Sequence, residues 1–92
     1  LYTTLAYDLV YKDPMKLVLF LDNHDVSRFY TVVGENIDKL KVGLQWLLTC
    51  RGVPQMYYGT EVLMAGATQP NDGYVRKDFP GGWAGDAANK FT

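Results

Sequence analysis

Apolar residues run unbroken from Leu17 to Leu21 and stop at a polar cluster, Asp22, Asn23, His24 and Asp25. A run of that length between polar bounds predicts a strand over Lys16 to Leu21 that is buried on both faces, as in parallel sheets covered by helices. Farther on, Ile37, Leu40, Leu44, Leu47 and Leu48 form an apolar stripe opposite Lys39, Lys41 and Gln45, the mark of an amphipathic helix. Asn36 predicts its N-cap, with Asp38 in the first turn where negative charge suits the helix dipole. Arg51 falls in or just after the last turn, Gly52 predicts the C-cap, and Pro54 lies beyond. Val53 to Tyr58 predicts a second strand entered through proline, where a missing donor is tolerated. Strand, helix and strand within about 30 residues predict a βαβ unit with parallel strands and a right-handed crossover.

The flanks are less regular. Leu5, Leu9 and Tyr2 share a helical face, so the first residues predict the end of a helix, although their aromatic and β-branched members suit a strand as well. Pro14 breaks that pattern and disfavours helical geometry at Asp13. Residues 22–36 show neither periodicity and predict a long loop above the first strand, with Val26, Phe29 and Val32 tucked in. From Gly59 onward the chain is glycine-rich and irregular, too long for an ordinary connection. No internal repeat or low-complexity tract is present.

The chain has 92 residues, 48% of them hydrophobic and 14% aromatic, which is the composition of a globular interior. Its formal net charge of −1 offers no electrostatic attraction for nucleic acid or an anionic membrane. Cys50 is the only cysteine, so no internal disulfide forms and the redox compartment is left open. No apolar run approaches the roughly 20 residues of a membrane span. A first residue other than Met, and no secretory leader, suggest a fragment of something larger.

The polar cluster at 22–25 is the strongest chemical signal, because sites in parallel α/β folds lie at the carboxyl ends of strands. Along an extended backbone Asn23 and Asp25 would face one side and Asp22 and His24 the other. Such groups can bind a polyhydroxylated ligand; the plainer reading is a turn rich in Asp and Asn with a structural histidine. A third coordinating group at fixed spacing is missing, which weighs against a metal. Glu61 ends the second strand in the equivalent position, where Gly59 permits a sharp turn; equally, it is a loop carboxylate pairing with Arg51 or Arg76. Tyr57, Tyr58, Tyr74, Phe79 and Trp83 suit stacking against sugar rings, or simple packing. Asp72 and Arg76, four apart, suit a surface ion pair worth under about 1 kcal/mol. No phosphate-binding glycine loop, serine elbow or zinc spacing is present.

At these residues the sequence resembles a known family. FLDNHD at 20–25 resembles the F-x-x-N-H-D motif ending the seventh strand of the α-amylase superfamily of glycoside hydrolases. GVPQMYYGTE at 52–61 resembles that superfamily's eighth strand, G-x-P-x-x-Y-Y-G-x-E. QPNDGYVRKDFPGGW is similar to the neopullulanase and cyclomaltodextrinase branch, where an aspartate and an arginine follow the eighth strand.

The resemblance implies an α/β fold, a partial (β/α)8 TIM barrel made of the end of helix 6, strand 7, helix 7, strand 8 and the following loop. All of residues 1–92 would belong to the catalytic barrel. It implies a retaining enzyme acting on starch, pullulan or cyclodextrin, with Asp25 as the third catalytic carboxylate, holding sugar hydroxyls in the −1 subsite. His24 would bind the same hydroxyls, Asn23 matches the motif, and Arg76 and Asp72 match subsite residues of the neopullulanase branch. The nucleophile and the acid/base belong to the fourth and fifth strands, which nothing here resembles. A whole barrel takes ~250 residues, so residues 1–92 alone are expected to be inactive and to self-associate. No cofactor is expected in these residues, though calcium is common in full-length members. The expected partner is an α-glucan oligosaccharide, with neither nucleic acid nor membrane; a periplasmic or extracellular place fits such an enzyme. The rival readings are a transglycosylase of the same superfamily and a catalytically silent relative that binds sugar or protein.

Overall fold

A computed structural model of the chain describes residues 2–87. Its order is helix α1 (Tyr2–Ala6), strand β1 (Val18–Leu19), helix α2 (Phe29–Val32), helix α3 (Ile37–Thr49) and strand β2 (Val53–Pro54), with short 3-10 turns between them. β1 and β2 pair in parallel, Val18 opposite Val53 and Leu19 opposite Pro54. The strand, helix, parallel strand order is the one the sequence predicts.

α3 carries the organisation. Asn36 caps it by accepting the N–H of Lys39 at 3.0 Å, and Asp38 sits in the first turn. Leu40 and Leu47 are buried to 3% and 1% exposure and form most of the buried apolar core together with Val75. Ile37 and Leu48, the ends of the predicted stripe, are exposed. The C-cap is Cys50 in extended geometry rather than Gly52. Gly52 acts one step later: its φ is +105°, and a Cβ there would lie 2.5 Å from the Leu17 carbonyl oxygen. That carbonyl accepts the N–H of Val53 at 2.8 Å, so the glycine lets the chain enter β2 against β1.

Both strands are shorter than predicted. Asp13 accepts the N–H of Met15, and Pro14 opens a 3-10 turn over Pro14–Lys16, removing Lys16 from the strand. Among the described residues each strand has a single partner, and the ladder ends at the bond from the Gln55 N–H to the Leu19 carbonyl, 2.7 Å. β1 is not buried on both faces, because Val18 is 52% and Phe20 45% exposed. Two strands and one long helix supply too little cover.

The predicted loop 22–36 contains α2, whose turn is closed by the Val32 N–H on the Arg28 carbonyl at 3.0 Å. Phe29 is half-buried against α3, while Val26 and Val32 are exposed instead of tucked in. At the start of the chain a helix does form, but it tightens to a 3-10 turn at Tyr7–Leu9, which leaves Leu9 fully exposed. The side chain of Tyr2, the third member of the predicted face, lies outside the described residues. Arg51 reaches back to this turn and donates from Nε to both carboxylate oxygens of Asp8 at 2.9 Å.

Candidate active site

Where the chain leaves β1, Asp22 turns inward and is 5% exposed. Its Oδ2 accepts the N–H of Phe29 at 2.7 Å, tying off the intervening loop. Asn23 Oδ1 accepts the N–H of Asp25 at 2.8 Å, the bond that makes an Asx turn. Asn23 therefore shapes the backbone, and His24 and Asp25 stand at the tip. The extended alternation expected for the cluster is lost at this turn. His24 and Asp25 come together instead of splitting, with Nε2 3.3 Å from Oδ2 and both side chains more than half exposed.

The opposite wall is built from the chain after β2. Gly59, with φ of +86°, starts the turn at Thr60–Val62, and the chain then runs back along α2. The Arg28 N–H donates to the Gly66 carbonyl at 2.9 Å, the Gly66 N–H to Thr31 Oγ1 at 2.7 Å and the Thr68 N–H to Ser27 Oγ at 3.1 Å. Gly66 also backs onto the next turn, where a Cβ would lie 2.2 Å from the Tyr74 carbonyl oxygen. That turn, Asp72–Val75, is capped by Asn71 Oδ1 on the Gly73 N–H at 2.9 Å.

Arg76 leaves this turn and joins the two walls. Its Nε donates to the His24 carbonyl at 2.9 Å, and Nη2 donates to Asp25 Oδ1 at 3.1 Å and to Asp72 Oδ2 at 3.0 Å. The five residues singled out in the sequence, Asn23, His24, Asp25, Asp72 and Arg76, thus occupy one place. Asp25 keeps a solvent-facing carboxylate beside an imidazole, a set of acceptors and donors suited to sugar hydroxyls. These ion pairs are exposed and each is worth under about 1 kcal/mol; they orient groups more than they hold the walls together.

Arg28, which no sequence pattern singled out, supplies that hold. It is 1% exposed, and its Nη1 and Nη2 donate to the carbonyls of Tyr58 and Val75 at 2.6 and 3.2 Å. Its guanidinium lies 4.5 and 4.9 Å from the ring centroids of Tyr57 and Tyr58. Among the described residues no carboxylate pairs with it, so the rings and carbonyls offset the cost of burying its charge. Burial pushes the Tyr57 phenol above its ordinary pKa, with Tyr58 adding to the effect. Its OH donates to the Val75 carbonyl at 3.1 Å.

Glu61 is exposed and takes part in no ion pair among the described residues. Its two predicted partners are engaged elsewhere, Arg51 with Asp8 and Arg76 with Asp25 and Asp72. Among the described residues, no three His, Cys, Asp or Glu side chains gather as a metal site. No described helix is long and apolar enough to cross a membrane.

Comparison with known proteins places the chain in a family. The profile for the alpha amylase catalytic domain matches residues 3–86. A cyclomaltodextrin glucanotransferase of Geobacillus stearothermophilus is 43% identical over 77 residues, 84% of this chain and 10% of that protein. An alpha-amylase of Niallia circulans is 54% identical over 55 residues, 60% of this chain and 10% of its own. The chain thus spans about a tenth of the length of these relatives. Among solved structures, the alpha-amylase of Geobacillus thermoleovorans complexed with acarbose superimposes with a TM-score of 0.69 at 37% identity, covering 85% of this chain and 18% of that one. The gamma-cyclodextrin glucanotransferase of an alkalophilic Bacillus clarkii gives 0.66 at 43% identity, covering 85% and 12%. The parallel strands and their helix are accordingly a segment of a TIM barrel, and the chain belongs to the alpha-amylase catalytic-domain family.

Proposed function

We propose that these residues form strands seven and eight of the barrel, with the end of helix six and all of helix seven, in a retaining glycoside hydrolase acting on α-glucans. In this reading Asp25 is the carboxylate that holds the hydroxyls of the glucose unit being cleaved, in the −1 subsite. Its hydrogen bonds strengthen as oxocarbenium-like charge develops, which lowers the barrier instead of merely binding substrate. His24 donates to the same hydroxyls, and Asn23 sets the turn that presents both. Arg76 and Asp72 extend the subsite as in the neopullulanase branch. The single observation that carries the proposal is the exposed Asp25 carboxylate at the end of β1, flanked by His24 and fixed by Arg76.

The bond-breaking groups, an aspartate nucleophile and a glutamate acid/base, have no counterpart in these residues. The whole polypeptide is therefore the active species, and residues 1–92 alone give no turnover. A second reading has specific support: several relatives are named cyclomaltodextrin glucanotransferase, so the glycosyl group would pass to a sugar hydroxyl rather than to water.

Incubating the whole polypeptide with soluble starch, pullulan and cyclodextrin, and resolving the products, tests both. Linear reducing sugars are the expected result, cyclic or elongated glucans favour the transferase, and no change in any of the three substrates overturns the proposal.

A further inference from the structure

We infer that Arg28 is a positioning residue for Asp25, closing a ring of contacts that runs from Asp25 through Arg76 and Val75 back to Arg28; the inference rests on the reading of Asp25 just given. Each link is a short one. Arg76 Nη2 holds Asp25 Oδ1 at 3.1 Å, and Arg76 follows Val75 directly in the chain. The Val75 carbonyl receives two donors, Arg28 Nη2 at 3.2 Å and the Tyr57 OH at 3.1 Å, which fixes the peptide from which Arg76 extends. From Arg28 the chain returns to Asp25 in three residues, and the Asp22 carboxylate on the Phe29 N–H ties that stretch to the end of β1.

Energetics assign the work to Arg28 rather than to the visible ion pairs. Arg76, Asp25 and Asp72 are all about half exposed, so water competes for them. Arg28 is 1% exposed, and its fork spans two carbonyls from different segments, a geometry that lysine cannot copy. Among the described residues its buried Nε has no hydrogen-bond partner, so what fixes its place is the pair of carbonyls and the two tyrosine rings. Without the fork, the peptide ahead of Arg76 loses one of its two donors, and the Asp25 carboxylate loses its register against the sugar.

The test uses the whole polypeptide with Arg28→Lys, Arg76→Ala and the double variant, plus Tyr57→Phe alone and with Arg76→Ala. Arg28→Lys is expected to lower kcat about tenfold with KM nearly unchanged, as misplacement of a reacting group does. In the Arg76→Ala background the same change is expected to alter kcat less than about twofold, because the ring is already open. Tyr57→Phe, which removes the other donor to Val75, is expected to repeat this pattern on a smaller scale and decides the matter if Arg28→Lys does not fold. Equal losses in both backgrounds overturn the inference and leave Arg28 as packing. If the parent protein acts on no α-glucan, the reading of the site fails. The ring is then judged by thermal unfolding of the same variants: additive shifts sink it, and non-additive shifts sustain it.

Discussion

The carboxylate of Asp22, itself 5% exposed, accepts the backbone N–H of the half-buried Phe29 at 2.7 Å. It closes the loop whose tip carries His24 and Asp25, so Asp22 works as a fastener for that loop. Removing the acceptor leaves a partly shielded N–H without that partner, at a cost of about 1 kcal/mol. Asp22→Ala in the whole polypeptide is expected to show that loss in denaturant unfolding, and Asp22→Asn, which keeps an acceptor oxygen, a smaller one. Equal stability for all three proteins would contradict this role.

The Asp8–Arg51 pair sets an acid-side limit. Its hydrogen bonds to Arg51 hold the Asp8 carboxyl below its ordinary value of 3.8. A depressed folded-state pKa gives stability that is present above 3.8 and lost as pH falls through the lowered value. Unfolding measured as a function of pH is expected to slope less steeply between 3.8 and the lowered value in Asp8→Asn than in the parent; identical slopes there would show that the pair contributes nothing. At the alkaline end the sign reverses. The raised pKa of Tyr57 gives stability present below its ordinary 10.0 and lost as pH rises through the folded value.

Gly66 lies directly against the Asp72–Val75 turn, within the wall built from the chain after β2. Ala at this position would drive a methyl group into the Tyr74 carbonyl, 2.2 Å away, and move the turn from which Arg76 extends. Overpacking of this kind costs about 1–3 kcal/mol. Gly66→Ala is expected to lower both the unfolding temperature and kcat/KM; a variant with parental kinetics would show that the turn tolerates displacement.

Residues 1–92 expressed alone are expected to self-associate. Val18, Phe20, Val53 and Met56 are 45–52% exposed along the strands, and a two-stranded sheet has open edges on both sides. Sedimentation velocity is the check, with oligomers expected and a stable monomer counting against it.

Much of this was legible in the residues themselves. α3 could be read because its N-cap and its apolar stripe agree, and Pro54 announced the entry into β2; Gly52, read as the C-cap, instead lets the chain in beside β1, and Cys50 closes the helix. The parallel order followed from strand, helix, strand. β1 was read as too long and too buried, because an apolar run says that cover exists somewhere and not which part of the chain provides it. α2 escaped notice since its four residues are too short for a periodic pattern. Arg28 was invisible for a related reason: its partners are backbone carbonyls of Tyr58 and Val75, 30 and 47 residues away, and a carbonyl leaves no trace in a sequence. The meeting of Asp25 with Arg76 came from the family motifs, not from any local pattern.

The most direct measurement is the kcat/KM of the whole polypeptide and of its Asp25→Asn variant on a maltooligosaccharide, with folding of both checked by thermal unfolding. Losing a group that binds the transition state more tightly than the ground state costs on the order of 10²–10³-fold or more. A folded variant with a loss of that size is the expected result. A folded variant that keeps within about threefold of parental kcat/KM would contradict the placing of Asp25 at the reacting sugar.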